Sequence, residues 1–269
     1  MRNLTESVIA LVIQAGRDVI LPRLPRVAAQ EKSPGEWVTA ADLTAEAFLT
    51  AALPGMLPGS IVVGEEAAHA HPDLLDQLSQ PWVWLVDPLD GTANFAAGKG
   101  PFAVMVALLH HGETVASWMY DPLDEVIYCA ELGAGATRNG IPVRCVGDSA
   151  IDTKTAADLR GAVLRRFLPE QFGRRVDAGG FANVTAGTMC AAAEYPAVAS
   201  HEQDFVVFWR TLPWDHAPGV LFLEEAGGLA RRFDGSRYRP ADVAGTGLLA
   251  ASSSGTWHLV RDVLAPVGD

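Results

Sequence analysis

The chain has 269 residues, of which 49% are hydrophobic and 19% are charged, and its formal net charge at pH 7 is -12. A chain of this length and composition buries one large core or two modest ones, which excludes general disorder. The acidic balance argues against nucleic acid or an anionic membrane surface as a partner, because both attract clustered Lys and Arg. If the substrate is a phosphate, cations are needed to offset the protein's own carboxylates.

The cysteines and the N-terminal segment indicate the compartment. Cys129, Cys145 and Cys190 are an odd number without CxxC spacing, which favours reduced thiols over a disulfide framework or a zinc ribbon. The apolar stretch 8–13 is interrupted at Gln14 before it is long enough for a secretory leader or a membrane span. We therefore expect a cytoplasmic protein with neither a membrane nor a nucleic-acid partner.

Apolar residues recur at helical spacing in three parts of the chain. Residues 4–19 predict an amphipathic helix, and residues 39–52 predict a second one. Thr39 and Asp42 have the spacing of a capping box, which places the start of the second helix at Thr39. Residues 214–226 predict a third helix.

Short apolar runs between these helices predict strands. The runs lie at 61–63, 83–86 and 102–109, and they suit central strands that are covered on both faces. A loop is expected at 67–80, between the first two runs. The Asn-Gly pair at 139–140 predicts a β-hairpin, since glycine readily supplies the positive φ that such a turn requires.

The hydrophobic pattern weakens near residues 145–155, which predicts a domain boundary. We assign residues 1–147 to an N-terminal α+β domain that carries most of the candidate metal ligands. Residues 148–269 form a C-terminal α/β domain that contributes Asp215 and substrate specificity. The candidate site is therefore expected between the two domains.

A predicted strand leads directly into residues 87–92, which read DPLDGT. Two aspartates in one turn match the oxygen ligands that Mg²⁺ prefers, and Pro88 stiffens that turn. The Leu89 carbonyl can face a cation, and Gly91 lets the backbone approach an anion closely. If the amides of Gly91 and Thr92 begin a helix, they form a phosphate-binding terminus. Taken alone, the segment is also typical of an ordinary turn.

One turn supplies too few ligands for such a cation, and further carboxylates lie at the ends of other predicted elements. Glu65 and Glu66 follow the strand at 61–63, and Asp215 begins the third helix. Individually, the glutamates are typical of a solvated helix start and Asp215 of an N-cap. Their joint order with the motif at 87–92 favours a metal-dependent phosphate site.

Together these segments resemble the inositol monophosphatase family of magnesium-dependent, lithium-sensitive phosphatases, over nearly the whole chain. The resemblance implies an α/β fold, a layered α+β sandwich with alternating α-β-α-β-α layers, and a homodimer. The segments that carry it are Lys32-Ser33-Pro34, Val38-Thr39-Ala40-Ala41-Asp42, Gly64-Glu65-Glu66, the stretch from Trp84 to Phe95, and Trp214-Asp215 with Ala217 and Gly219.

The resemblance also implies a set of metal ligands. Glu65, Asp87 and the Leu89 carbonyl would hold a first Mg²⁺. Asp87, Asp90 and Asp215 would hold a second, so that Asp87 bridges the two ions. A third, weaker ion would depend on Glu65 and water molecules, which gives two to three Mg²⁺ per site.

The same resemblance implies the catalytic groups. Thr92, hydrogen-bonded to Asp42, would orient the attacking water and help to take its proton, with assistance from Glu65. The amides of Gly91 and Thr92 would bind the phosphate, and in such enzymes a metal-activated water attacks phosphorus in line. From the residues alone, Asp42 is also explained as the carboxylate of a capping box. His216, next to Asp215, is given no catalytic role.

The substrate follows less directly from the sequence. Phe208 stands seven residues before Asp215, where inositol-specific members carry an acidic residue that binds sugar hydroxyls. Phe208 and Arg210 are therefore candidates for substrate specificity, although alternation within a core strand explains them equally well.

We expect hydrolysis of a small phosphate monoester, with inositol 1-phosphate as the default substrate. Histidinol phosphate, fructose 1,6-bisphosphate and 3′-phosphoadenosine 5′-phosphate are alternatives within the same chemistry. A relative that binds or regulates without turnover is the alternative from another class.

Overall fold

The computed structural model describes residues 2–24, 30–33, 36–145 and 155–265. The predicted domain boundary between residues 147 and 148 lies outside the described residues. Within these ranges no helix is both long and apolar enough to cross a membrane. The α-helices are α1 Arg2–Gln14, α2 Ala40–Met56, α3 Glu65–Ala70, α4 Thr92–Ala96, α5 Glu170–Ala178, α6 Ala191–Ala199, α7 Pro213–Glu225 and α8 Ser254–Leu264.

The described strands form a hairpin and two mixed sheets. A seven-stranded sheet has the order β3-β4-β5-β6-β7-β8-β9, a five-stranded sheet has the order β11-β10-β12-β14-β13, and β1 pairs with β2. The strands are β1 Gln30–Ser33, β2 Glu36–Val38, β3 Ile61–Gly64, β4 Val83–Asp90, β5 Ala103–His110, β6 Glu113–Asp121, β7 Val126–Glu131, β8 Gly135–Arg138, β9 Ile141–Val143, β10 Arg160–Val163, β11 Asn183–Thr185, β12 Phe205–Arg210, β13 Leu229–Arg232 and β14 Thr246–Ala251.

The sheets and helices stack in five layers, α-β-α-β-α, as the sequence predicts. Helices α1 and α2 cover one face of the seven-stranded sheet, and α6 and α7 fill the space between the two sheets. Helices α5 and α8 cover the outer face of the five-stranded sheet. Strand β4 shows why its apolar run is continuous: Trp84 and Val86 pack towards α1 and α2, whereas Val83 and Leu85 pack towards the middle layer.

Most predicted elements are present, with differences at two of them. The first helix continues beyond α1 as a π-helix, Ala15–Ile20, and Gly16 there packs so closely on Tyr120 that a Cβ would lie 2.7 Å from the ring. The segment 67–80, expected as a loop, is instead helical, because α3 is followed by the 3₁₀ helix Pro72–Ser79. Leu78 of that helix is buried in the core, and this contact holds the segment against the sheet.

Two pairs of parallel strands bring the candidate residues together. Strands β3 and β4 are parallel, with Gly64 opposite Val86, and β10 and β12 are parallel, with Val163 opposite Val207. The carboxyl ends of parallel strands meet at one edge of a sheet, where ligands commonly bind. One pocket is lined by residues at or directly after all four of these strand ends and by the first turn of α7.

Candidate active site

Three carboxylates meet at the ends of three elements. Glu65 is the first residue of α3, directly after β3, and Asp87 lies near the end of β4. Asp215 lies in the first turn of α7 and is delivered from the C-terminal half of the chain. One oxygen atom from each of the three lies within 4.8 Å of the other two. Such a group of hard oxygen donors is able to hold a cation such as Mg²⁺ or Ca²⁺.

The electrostatics of Asp87 show the cost of this arrangement without a cation. Its side chain is 2% exposed. Burial raises the pKa of Asp87 well above its ordinary value, and the charges of Glu65, Asp90 and Asp215 raise it further. Its Oδ1 accepts a hydrogen bond from the Leu89 amide at 3.0 Å, which opposes part of that shift. A bound cation would relieve both the desolvation and the repulsion.

Asp90 is the second aspartate of the motif, and it is tied to the middle layer. Its Oδ2 accepts from the Ala192 amide at 2.7 Å and from the Cys190 thiol at 3.2 Å. Burial raises the pKa of Asp90 to about 6 although these donors stabilise its charged form. Asp90 therefore anchors the first turn of α6, and its charge acts on Asp87. Its place as a metal ligand stays a prediction.

Thr92 connects the acidic group, which consists of Glu65, Asp87 and Asp215, to α2. Its Oγ1 lies 3.0 Å from Asp42 Oδ1 and 2.8 Å from the Leu89 carbonyl oxygen, and the single hydroxyl proton is donated to one of these acceptors at a time. The other carboxylate oxygen, Asp42 Oδ2, accepts from the Thr39 amide at 2.8 Å and closes a capping box. The two interpretations of Asp42 are thus compatible, because each of its oxygen atoms has a different partner.

Gly91 adopts a left-handed conformation, with φ of 81°, at the start of α4. A Cβ at this position would lie 2.8 Å from the Pro101 carbonyl oxygen and 3.3 Å from Cys190 Cβ. Any other residue would therefore be strained twice, by its φ and by the close backbone. The glycine lets the chain turn sharply between Asp90 and Thr92, which places both side chains at the same site.

Glu46 supports the start of α3, where Glu65 lies, and it was not among the residues predicted from the sequence. Its carboxylate accepts from the amides of Glu66 and Ala67 at 2.8 and 2.9 Å, which satisfies two donors in the first turn of α3. Asp42 and Glu46 are four residues apart on α2 and are both buried. That spacing of two carboxylates on one face of an apolar helix was the available signal.

Another part of the pocket lining is aromatic and cationic. Arg166 and Phe167 follow β10, and Trp209 and Arg210 end β12. All four line the same pocket as the acidic group, and Trp37 contributes to its rim. Arg210 was predicted as a candidate, whereas Arg166 and Phe167 were missed, because only the pairing of β10 with β12 brings them here.

Phe208 and His216 form a layer of rings under this part of the lining. Phe208 is buried, stacks on Tyr195 at 5.3 Å and meets the ring of His216 edge-on at 4.6 Å. His216 Nε2 lies 3.2 Å from the Arg210 carbonyl, which only accepts, so Nε2 carries the proton and Nδ1 accepts from Tyr195 Oη at 2.9 Å. Burial lowers the pKa of His216 to about 3, which keeps the ring neutral. His216 thus links α6, α7 and the end of β12.

Comparison with known proteins identifies the family to which the chain belongs. The inositol monophosphatase family matches the chain over residues 1–265. The chain belongs to the inositol monophosphatase family. The inositol-1-monophosphatase of Mesorhizobium japonicum is 33% identical over 221 residues, which are 77% of this chain and 76% of that protein.

Other relatives of the chain are SuhB proteins. The Nus factor SuhB of Escherichia coli K12 is 30% identical over 219 residues, which are 78% of this chain and 76% of that protein. The crystal structure of the extragenic suppressor protein SuhB from Bartonella henselae shares the fold with a TM-score of 0.82, at 24% identity over 99% of this chain and 100% of that one. The relatives of this chain therefore include both a protein described as a phosphatase and proteins described as Nus factors.

Proposed function

We propose that this member of the inositol monophosphatase family is a Mg²⁺-dependent phosphomonoesterase that hydrolyses a small phosphate monoester. The observation that carries the proposal is the convergence of Glu65, Asp87 and Asp215, whose oxygen atoms lie within 4.8 Å of one another beside an open pocket. The three residues come from distant parts of the chain. Because like charges repel one another, placing three carboxylates together does not by itself stabilise the fold.

The donor set fits Mg²⁺. Carboxylate oxygens are the protein ligands that this ion prefers, and it usually keeps positions for water or substrate phosphate. Two to three ions per site, with Asp90 and the Leu89 carbonyl as further ligands, are our extension of the family pattern. Bound there, Mg²⁺ would supply positive charge to the phosphoryl oxygens and the leaving group and lower the pKa of water.

The chain's own groups provide orientation and a path for the proton. When Thr92 donates its hydroxyl proton to Asp42 or to the Leu89 carbonyl, the lone pairs of Oγ1 are left to accept from a nucleophilic water. Burial raises the pKa of Asp42, which makes its carboxylate a better proton acceptor than a solvated one. We assign the general-base role to Thr92 with Asp42, assisted by Glu65, and phosphate binding to the amides of Gly91 and Thr92.

The default substrate of the family is inositol 1-phosphate, which the relative described as an inositol-1-monophosphatase supports. Phe208 and Arg210 count against this substrate for the present chain, because Phe208 stands where an acidic residue is expected for a polyol and Arg210 adds a cation to the same pocket. The arginines also disfavour histidinol phosphate, whose amine is cationic. Fructose 1,6-bisphosphate and 3′-phosphoadenosine 5′-phosphate stay alternatives, since both bring additional anions.

A panel of these four esters, assayed as phosphate release with and without Mg²⁺, tests the proposal. We expect Mg²⁺-dependent turnover of at least one ester, and its loss in Asp87→Asn, which keeps the size of the side chain and removes the charge. Glu6→Gln on the exposed face of α1 is the matched control and should retain the wild-type rate. Equal rates with Mg²⁺ and with EDTA would contradict the proposal.

A second candidate function is binding without turnover, and the relatives described as Nus factor SuhB support it. The two functions differ in the same assay. Absence of Mg²⁺-dependent release from every ester, with intact folding and Mg²⁺ binding by calorimetry, would favour the binding function.

We extend two further properties from the family to this chain, a homodimer and a cytoplasmic location. Light scattering on the purified protein measures the first property. A mass of twice 28.5 kDa is expected, and a monomeric mass would contradict it.

A further inference from the structure

Two arginines share one aromatic ring in the pocket that also contains the three carboxylates. The Arg210 guanidinium carbon lies 4.3 Å from the centre of the Phe167 ring, and that of Arg166 lies 4.6 Å from the same point. Cations bind the faces of aromatic rings at such distances. Both guanidinium groups are therefore held on a common support, at the ends of the neighbouring strands β10 and β12.

The positive charge of these two side chains sets this part of the pocket lining apart from the three carboxylates. Arg210 is half-buried, so that burial lowers its pKa, and the charge of Asp215 opposes the shift. The chain as a whole carries a net charge of -12. A pair of cations gathered on the wall of an acidic pocket therefore matches a negatively charged ligand group rather than the general surface of the protein.

We propose that Arg166 and Arg210, supported by Phe167, form an anion subsite that selects phosphate monoesters whose organic part carries a second negative charge, a carboxylate or a phosphate. The inference rests on the proposed phosphatase function. The reacting phosphate would lie beside the three carboxylates of Glu65, Asp87 and Asp215, and the second anion would lie beside the arginines. Guanidinium groups bind both kinds of anion through paired N–H donors.

The remaining rim explains how the carbon chain of such a substrate is held. Trp37, Phe167 and Met189 line the same pocket, and their side chains are 37%, 41% and 42% exposed. These apolar surfaces suit a carbon skeleton between two anions better than a ring covered with hydroxyl groups, which would lose hydrogen bonds to water on contact with them.

Non-hydrolysable phosphonates test the subsite without turnover. Calorimetry in Mg²⁺ compares propylphosphonate, 3-phosphonopropionate and ethane-1,2-bisphosphonate, and then the matching series in which each chain is two methylene groups longer. The three ligands differ only in an end group that is neutral, carboxylate or phosphonate. We expect at least one anionic end to bind at least about tenfold more tightly than the alkyl end, and the better of the two identifies the class of the second anion.

Variants locate that preference on the two arginines. Arg166→Gln and Arg210→Gln should each reduce the ratio of affinities at least about fivefold, and Arg210→Lys should restore part of it, because lysine keeps the charge without the paired donors. Arg165→Gln is the matched control, since Arg165 is the neighbour of Arg166 and pairs with Asp177 on the surface. It should keep the wild-type ratio. Thermal unfolding of each variant verifies that it is folded.

The outcomes separate the subsite from the proposed function. Equal affinity for all three end groups in the wild type would overturn the subsite, and so would an unchanged ratio in both Gln variants. An equal loss for every phosphonate in Arg210→Gln would place Arg210 at the reacting phosphate and would also overturn it. Failure to hydrolyse any ester, together with a preserved preference for anionic ends, would instead refute the phosphatase and leave the subsite standing.

Discussion

Thr92 is the residue at which the motif and helix α2 meet, and its hydroxyl group tests the assigned base directly. Thr92→Val keeps the shape of the side chain and removes Oγ1, so we expect kcat to fall roughly 10²- to 10⁴-fold with little change in KM. Thr92→Ser, which keeps the hydroxyl, should retain most activity. Thr44→Val, on the exposed face of α2, is the control. A Thr92→Val enzyme with wild-type kcat would show that Oγ1 has no part in the chemistry.

Asp90 gives the metal-free protein a characteristic dependence on pH. Its folded-state pKa of about 6 lies above the ordinary value of 3.8. The folded state therefore holds this proton more tightly than the unfolded state, and the resulting stability is present in full below about pH 4 and is lost as the pH rises through 6. We expect the unfolding temperature in EDTA to fall over this range, by less in Asp90→Asn than in the wild type.

The control for the pH experiment is Asp73→Asn, on the surface of the 3₁₀ helix after α3, which should follow the wild-type curve. Mg²⁺ at pH 7 should raise the unfolding temperature, because a ligand that binds the folded state stabilises it. An unfolding temperature in EDTA that rises steadily from pH 4 to pH 7 would contradict the assignment of a raised pKa.

At the scale of elements, α2 supports the site through two carboxylates, those of Asp42 and Glu46. Glu46 satisfies the first amides of α3 and so fixes the position of Glu65. Glu46→Ala should therefore destabilise the protein by about 1–3 kcal/mol and weaken Mg²⁺ binding roughly 10- to 100-fold. Calorimetric titration of Mg²⁺ checks this, with Glu6→Ala on α1 as the control. Unchanged Mg²⁺ affinity in Glu46→Ala would mean that Glu65 is held without it.

The elements also show where sequence reasoning succeeds and where it stops. The runs at β4 and β5 predicted buried central strands, because only strands covered on both faces can be apolar throughout. The capping box predicted the start of α2 correctly. The segment 67–80 was expected as a loop, since its many polar residues hide the few contacts, chiefly those of Ala68 and Leu78, that bury it against the core. Short helices of this kind are decided by tertiary packing.

The same limit applies to the candidate site. Glu65, Asp87 and Asp215, which the structure brings together, were predicted because each lies at one end of a recognisable element. Arg166 and Glu46 were missed, since only the pairing of β10 with β12 brings Arg166 to the pocket, and only the packing of α2 on α3 brings Glu46 to the first amides of α3. Local patterns do not show which strands become neighbours, so the residues that follow β10 were not predictable in this way, although Arg210 at the end of β12 was a candidate.

At the scale of the whole molecule, the five layers explain how one site draws on both halves of the chain. Helix α7 lies between the two sheets and is buried on nearly all sides, as expected of a helix without a polar face. Its first turn carries Asp215 to the carboxyl ends of β3 and β4, whereas α6 brings Cys190 and Ala192 to Asp90. The acidic group exists only when both sheets have closed on this middle layer.

The most direct measurement is a Mg²⁺ titration of phosphate release from the best ester of the panel, by the wild type and by Asp215→Asn. Because Asp215 is the one carboxylate of the group that comes from the C-terminal half, its variant tests whether the assembled site is the catalyst. The account predicts saturable Mg²⁺ dependence in the wild type and a loss of kcat/KM of roughly a thousandfold in the variant. Wild-type activity in Asp215→Asn, with the same Mg²⁺ dependence, would contradict it.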